Sequence, residues 1–234
     1  MSLFTIVKTV MDSNGWPSPV SAVASSQDQN MRQSMALANL ALKSTSFKHS
    51  WPALIREHPF VTVANQSEYD LPADFHHMVV PSAVNASQYY QLKGSLTPIQ
   101  WYRKALNGSI DWGDGFRIDA VGNKFVVAPT PAGVSDLVFM YITNMIAKDA
   151  TGTPLNQYYA DTDVSLVDED LIQLALTWRW RQKKGLDYTA EMAEFAGTMK
   201  QRIAQYLGTG ELPVGGRAGD APLTQGRIPD VIGV

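Results

Sequence analysis

The sequence predicts an α+β fold. A helical bundle is built from N- and C-terminal helices, a small antiparallel β-sheet or barrel domain is inserted between them, and an extended tail closes the chain. Three observations predict this. Apolar residues recur at helical spacing up to about residue 50, at strand spacing from Phe60 to Ile142, and at helical spacing again from Ser165 to Tyr206. The 17 glycines and 13 prolines fall largely in connections, which favours several short elements over one long rod. Beyond Gly210 no periodic apolar face remains.

Leu3 to Met11 forms a short helix whose apolar side is Phe4, Val7, Val10 and Met11, and Asn14-Gly15 with Trp16-Pro17 stop it. A second helix starts near Ser26, whose hydroxyl caps it while Gln29 reaches back. Met31, Met35, Ala38 and Leu42 form its stripe, Leu37, Leu40 and Ala41 broaden it, and it ends between Ser44 and His49 before Trp51-Pro52. The alanines admit a close neighbouring helix.

From Phe60 the period shortens. Phe60-Val61-Thr62-Val63 and Ser67 to Leu71 read as strands across the turn Ala64-Asn65-Gln66, and Pro72 ends the second because it lacks a ladder donor. His76–Val80 and Tyr89–Leu92 are further strands, and Pro98–Leu106 holds a helical turn or a loop. Phe116–Asp119 and Lys124–Val127 flank Ala120-Val121-Gly122-Asn123, a hairpin in which the glycine supplies positive φ. Leu137–Ile142 is the last strand of about five to seven.

Ser165 with Asp168 matches a helix cap, and Asp168-Glu169-Asp170 sets negative charge at the positive end of the dipole. Val167, Leu171, Leu174, Ala175 and Trp178 trace one face of this helix, and Ile172, Leu176 and Trp180 a second. A helix apolar on two sides is either buried in a layered core or covered by another molecule. Arg179, Arg181, Lys183 and Lys184 lie in the last turns, where cations suit the dipole, and Gly185 closes the helix. Asp187 caps a following helix with the stripe Tyr188, Met192, Phe195, Met199, Ile203 and Tyr206, and Gly208 and Gly210 end it; the short connection makes an antiparallel hairpin. The tail from Glu211 has five glycines and three prolines, too little to build a core, yet Ile228, Val231 and Ile232 are apolar anchors suited to a partner's groove. The chain thus divides into N-terminal helices (1–58), a β domain (59–147), a linker (148–164), a helical hairpin (165–210) and the tail (211–234).

Composition excludes several functions. With 234 residues, 45% of them hydrophobic and 18% charged, the chain folds and is not wholly disordered. A net charge of −3 is not that of a basic nucleic-acid binder. The absence of cysteine removes disulfides, thiolate catalysis and cysteine-ligated metal. No export signal is read in the first residues, where Lys8 interrupts the apolar stretch, and no apolar run approaches the roughly 20 residues of a membrane helix. Gly215-Gly216-Arg217-Ala218-Gly219 lacks the lysine and hydroxyl of a phosphate loop. His76 and His77 sit in an alternating stretch, so their rings should point to opposite faces, and His49 and His58 lack a third ligand. Asp111-Trp112-Gly113-Asp114-Gly115 with Asp119 misses calcium-loop spacing. Glu68 and Asp70 share a strand face without any sign of a sugar cleft, and no G-x-S-x-G elbow organises a nucleophile. No catalytic residue, metal or cofactor is expected.

The layout of residues 1–210 resembles the tailed-bacteriophage head–tail adaptor (connector, or neck) proteins, the podovirus-like type with an inserted β domain. The likeness is carried by Trp51-Pro52-Ala53-Leu54-Ile55, by the run from Phe60 to Phe75 and above all its Glu68-Tyr69-Asp70-Leu71-Pro72-Ala73-Asp74-Phe75, and by Asp168–Ile172 through Trp178–Gly185. The resemblance implies a ring of about twelve copies docked under a portal protein, a platform for tail or nozzle proteins, and non-specific passage of double-stranded DNA through its channel. It implies a virion location after assembly in the host cytoplasm, and no catalysis. A terminal extension that inserts into the portal or a neighbouring subunit would give residues 211–234 a role.

The interface candidates are then Ile172, Leu176, Trp180 and Arg181 on the outer face of the helix, with Leu212, Ile228, Val231 and Ile232 of the tail. Two rival readings stand beside the adaptor: a carbohydrate-binding module or glycosidase using Trp101, Trp112 and nearby acids, and a tail-completion or nozzle-associated virion protein.

Overall fold

The computed structural model describes residues 1–107 and 114–207. The tail residues, including Leu212, Ile228, Val231 and Ile232, lie outside the described residues, as do Asp111, Trp112 and Gly113.

The first helix, α1 (Leu3–Ser13), buries Leu3, Ile6, Val7, Val10 and Met11. The second, α2 (Gln29–Ser46), buries Met31, Leu37, Ala38, Ala41 and Leu42. Its cap is Asp28 and not Ser26: the Asp28 carboxylate accepts from the Asn30 and Met31 amides, while Ser26 Oγ accepts from the Asp28 amide. A carboxylate is the stronger partner for the positive helix end, so the cap moves by two residues. A 3₁₀ turn at Pro52–Leu54 leads into the β domain.

That domain contains β1 (Ile55–Val61), β2 (Glu68–Asp70), β3 (Phe75–Met78), β4 (Val84–Asn85), β5 (Tyr90–Gln91), the helix α3 (Pro98–Asn107), β6 (Gly115–Asp119), β7 (Lys124–Ala128) and β8 (Asp136–Thr143). All strand pairs are antiparallel. One sheet runs β1-β8-β4-β5, with β3 also on β8; the other runs β2-β7-β6. They face each other across Phe60, Phe125 and Phe139, with the Phe125 and Phe139 rings stacked 5.1 Å apart. Tyr69, Leu71, Phe116, Leu137 and Tyr141 complete this core. β1 starts earlier than its alternation suggested, and it carries Pro59 because it is an edge strand paired only with β8. In the β6–β7 hairpin the positive φ belongs to Asn123, at 51°. Gly122 serves another need: a Cβ there would stand 2.8 Å from the Asp119 carboxylate.

A bulge between Phe75 and His77 in β3 breaks the alternation. The expected divergence of His76 and His77 is therefore corrected: their Nδ1 atoms lie 2.6 Å apart, one ring donating to the other, and His76 stacks on Phe47 at 3.7 Å. An extra residue in the strand turns both rings to one side.

Residues 148–164, a linker by sequence, carry structure. β9 (Ala147–Lys148) pairs with both β10 (Pro154–Leu155) and β11 (Val164–Ser165). Tyr158 is fully buried. The Asp161 carboxylate accepts from the Val23 and Ala24 amides, and the Leu3 and Phe4 amides donate to the carbonyls of Asp163 and Asp161. Asp163 turns its own carboxylate onto the Tyr159 and Ala160 amides. Short polar sequence concealed this, because its stability comes from hydrogen bonds to distant amides and not from a periodic face.

α4 (Glu169–Lys183) is capped by Asp168, with Ser165 belonging to β11, and Gly185 ends it at φ 72°. Asp187 caps α5 (Thr189–Leu207) through the Thr189 amide and hydroxyl. α4 packs against α1, α2 and α5. Of the α5 stripe, Phe195 and Met199 are buried, while Met192 and Tyr206 are about half exposed.

Two outcomes follow from this packing. Ile172→Ala should cost about 2–5 kcal/mol and Trp180→Ala about 3–5 kcal/mol of unfolding free energy, read by chemical denaturation, because each leaves a cavity in a closed core. The second concerns pH. His49, His58, His76 and His77 are all held below their ordinary value of 6.5, chiefly by partial burial; the neighbouring His77 adds to the effect at His76, and Asp74 opposes it at His58. The unfolded chain therefore binds more protons as pH falls through 6.5, so stability is fully present above that value and declines below it. The Tm should fall on acidification through this window, and the double variant His76→Gln/His77→Gln should have a shallower slope.

Candidate functional site

Among the described residues the candidate sites are surfaces, and α4 is where the sequence placed the main one. The structure closes that helix within the chain. Leu171, Ile172, Ala175 and Leu176 are 0% exposed and Trp180 is 2%. α1, α2 and α5 all pack on α4, and Ile172, Leu176 and Trp180 share one core with buried residues of α1 and α2, while Trp178 meets Tyr188 and Phe195 at α5. Trp16 lies 5.8 Å from Trp180. This corrects the expectation that the second apolar face waits for another molecule: Ile172, Leu176 and Trp180 are core residues of the single chain. The chain's own first helices supply the missing layer.

The cations at the end of α4 are likewise engaged internally. Arg181 Nη1 lies 3.1 Å from Glu191, and its Nε donates to the Asp187 carbonyl at 2.6 Å, so this side chain fastens the hairpin turn. Lys184 donates to Asn30 Oδ1 and lies 4.6 Å from the Trp180 ring. Arg179 is buried, donates to the Ala175 carbonyl and to Ser44 Oγ, and lies over Trp178 at 4.2 Å; burial holds its pKa down at about 10. Arg202 bridges back from α5 to Asp168 and Asp170 at the start of α4. These contacts give the basic residues structural partners and leave no continuous phosphate-binding stripe along α4.

Of the residues considered for sugar chemistry, Trp112 lies outside the described residues, and Asp70 and Trp101 already have partners within the chain. Asp70 pairs with Lys124 at 2.6 Å. The Trp101 ring carries the Arg117 guanidinium at 4.7 Å and so does not offer both faces to a ligand. A groove of about 380 Å³ beside Thr62, Asn85, Asp114 and the 129–135 loop has no aromatic residue in its lining among the described residues. Among the described residues, no group of three or more histidine, aspartate or glutamate side chains could hold a metal ion, and no helix is long and apolar enough to cross a membrane.

What sequence reading passed over lies on the β domain. In Leu137-Val138-Phe139-Met140-Tyr141 every residue is apolar, so both faces of β8 are apolar. Inward go Leu137, Phe139 and Tyr141, all buried; Met140 remains 43% exposed on the other side. A strand with no polar alternation is the available signal for a face that is not simply solvated. Val61, Val80 and Val84 are exposed at the same sheet.

The architecture is thus two helical pairs from the chain ends around one core, with a two-sheet domain inserted between them. A family model described as SU10 adaptor protein matches residues 5–225, spanning both helical pairs and the inserted domain. A search of curated proteins returns no match. The chain belongs to the SU10 adaptor family, the head–tail adaptor proteins of tailed bacteriophages.

Proposed function

We propose that this chain is a non-enzymatic ring subunit of the virion neck, docked beneath the portal, joining it to tail or nozzle proteins and letting double-stranded DNA pass. The observation that carries this reading is the family match across nearly the whole chain, helices and β domain together. A structural role also agrees with the surfaces described above, where charged side chains serve packing and hairpin closure. Assembly would take place in the host cytoplasm, and the ring would hold about twelve copies, the number the family resemblance implies.

In this role the helical bundle is the rigid body of the subunit. Its interior is closed before any partner arrives, so assembly has to use outer surfaces and the segment beyond Leu207. Of the candidate interface residues, Arg181 stands at the hairpin turn and Leu212, Ile228, Val231 and Ile232 belong to the tail, to be met by the portal or a neighbouring copy.

Purified chain mixed with portal rings of the same phage should form a closed ring on one end of the portal, visible by electron cryomicroscopy. Particles assembled without the chain should be tailless heads, and adding the purified chain should restore tail joining. Tailed, infectious particles formed in its absence would refute the reading.

A further inference from the structure

The two broad faces of the β domain differ in a complementary way. On the outer face of the larger sheet, strand register sets Glu57 beside Met140, Pro59 and Val84 beside Val138, and Val61 beside Asp136. Val61 is 53% exposed, Val84 37% and Met140 43%. The free face of an antiparallel sheet is ordinarily polar; this one has an apolar centre with acids at its edge. Neither Glu57 nor Asp136 has an ion-pair partner among the described residues.

On the far side of the sandwich, α3 meets the outer face of the smaller sheet through Trp101. Arg117 points outward between the inward-facing Phe116 and Ile118, and its guanidinium lies 4.7 Å from Trp101 of α3. This docking leaves Ile99, Tyr102 and Arg103 on the free side of the helix, with Ile99 57% and Tyr102 60% exposed. Their spacing of three and four makes them one surface.

We propose that these faces are the two halves of one heterologous interface between copies of this chain. Ile99 and Tyr102 of one copy seat on the Val84, Val138 and Met140 centre of the next, and Arg103 meets Glu57, which lies beside Met140 at one end of that centre. The inference rests on the reading that copies assemble, and it adds which surfaces join them. Charge selects this occupant. Pairing two sheet faces would bring Glu57 and Asp136 against their own copies, and two α3 faces would oppose their arginines, whereas sheet against α3 pairs opposite signs. Because the halves lie on opposite sides of one domain, each contact leaves one of each kind open, as a closing ring requires.

The absence of cysteine makes the test direct. Met140→Cys and Tyr102→Cys replace exposed side chains, so both variants should fold. With portal rings present and under mild oxidation, a mixture of the two should give a disulfide-linked dimer that neither gives alone, and the double variant should give a ladder. Native mass spectrometry on the same samples reports whether oligomers exist. Oligomers without cross-linking would overturn this interface and leave the ring reading standing. Cross-linking of Met140→Cys by itself would assign the sheet face to a symmetrical pair and also overturn it. A chain that stays monomeric even with its portal present would overturn both.

Discussion

The enclosure of α4 is the constraint on which the rest of the bundle depends. Its apolar side chains face more than one direction, and 15 residues of such a helix have no stable position against a single neighbour. Layers around it are required, and the chain draws them from its two ends: α1 and α2 from the first, α5 from the last. The segment 158–163 then laces the ends together through the Leu3, Phe4, Val23 and Ala24 amides. The Met1 ammonium reaches Glu169 at the start of α4, which ties the N-terminus to the positive end of the same helix. Since α1 and α2 precede α4 by more than a hundred residues, these contacts have high sequence separation, and the N-terminal helices find their partner only once the late helix exists.

The β domain is attached to this bundle through shared strands and not through a flexible tether. β8 begins in one core and ends in the other: Leu137, Phe139 and Tyr141 belong to the β core, while Ile142 and the following Ile146 and Ala147 belong to the helical core. β1 does the same in reverse, running out from the buried Leu54 beside it. Asp74 adds a polar brace, accepting from the Tyr141 and Thr143 hydroxyls; burial and this hydrogen bond push the Tyr141 phenol up to about 12, so it stays a neutral donor. Force applied to the β domain is therefore carried into the bundle by extended backbone and packed side chains, a suitable property for a joint between a filled head and a tail.

The helices and most strands were legible because their periods are strong. The stripes of α1, α2 and α4 and the β6–β7 hairpin all announce themselves in apolar spacing. What was not legible depends on contacts distant in sequence. Nothing local says that the second face of α4 is met by residues from the start of the chain, so Ile172, Leu176 and Trp180 read equally well as core or as interface. The 148–164 segment reads as a connection because the Asp161 carboxylate acts through the distant Val23 and Ala24 amides. The bulge that turns His76 and His77 together leaves no trace in composition. Cap positions slipped for a simpler reason, since Ser26 and Ser165 offered plausible hydroxyls where nearby aspartates make the stronger bond.

The distribution of aromatic residues bears on how such a subunit stays in solution before it is assembled. Phe60, Phe75, Phe116, Phe125 and Phe139 interlock inside the β domain, whereas the outer sheet face is made of valine, methionine and proline. Small aliphatic side chains give a shallow surface that contributes modestly per contact, unlike the aromatic anchors that dominate tight pairwise interfaces. A face of this kind is too weak to commit two copies to each other, but it gains when each subunit is held on both sides at once. Acids at its rim and a basic, partly apolar helix on the opposite side bias that gain toward head-to-tail contacts. Cohesion would then arise from closure and from docking on a template, which keeps free subunits apart until the site of assembly is available.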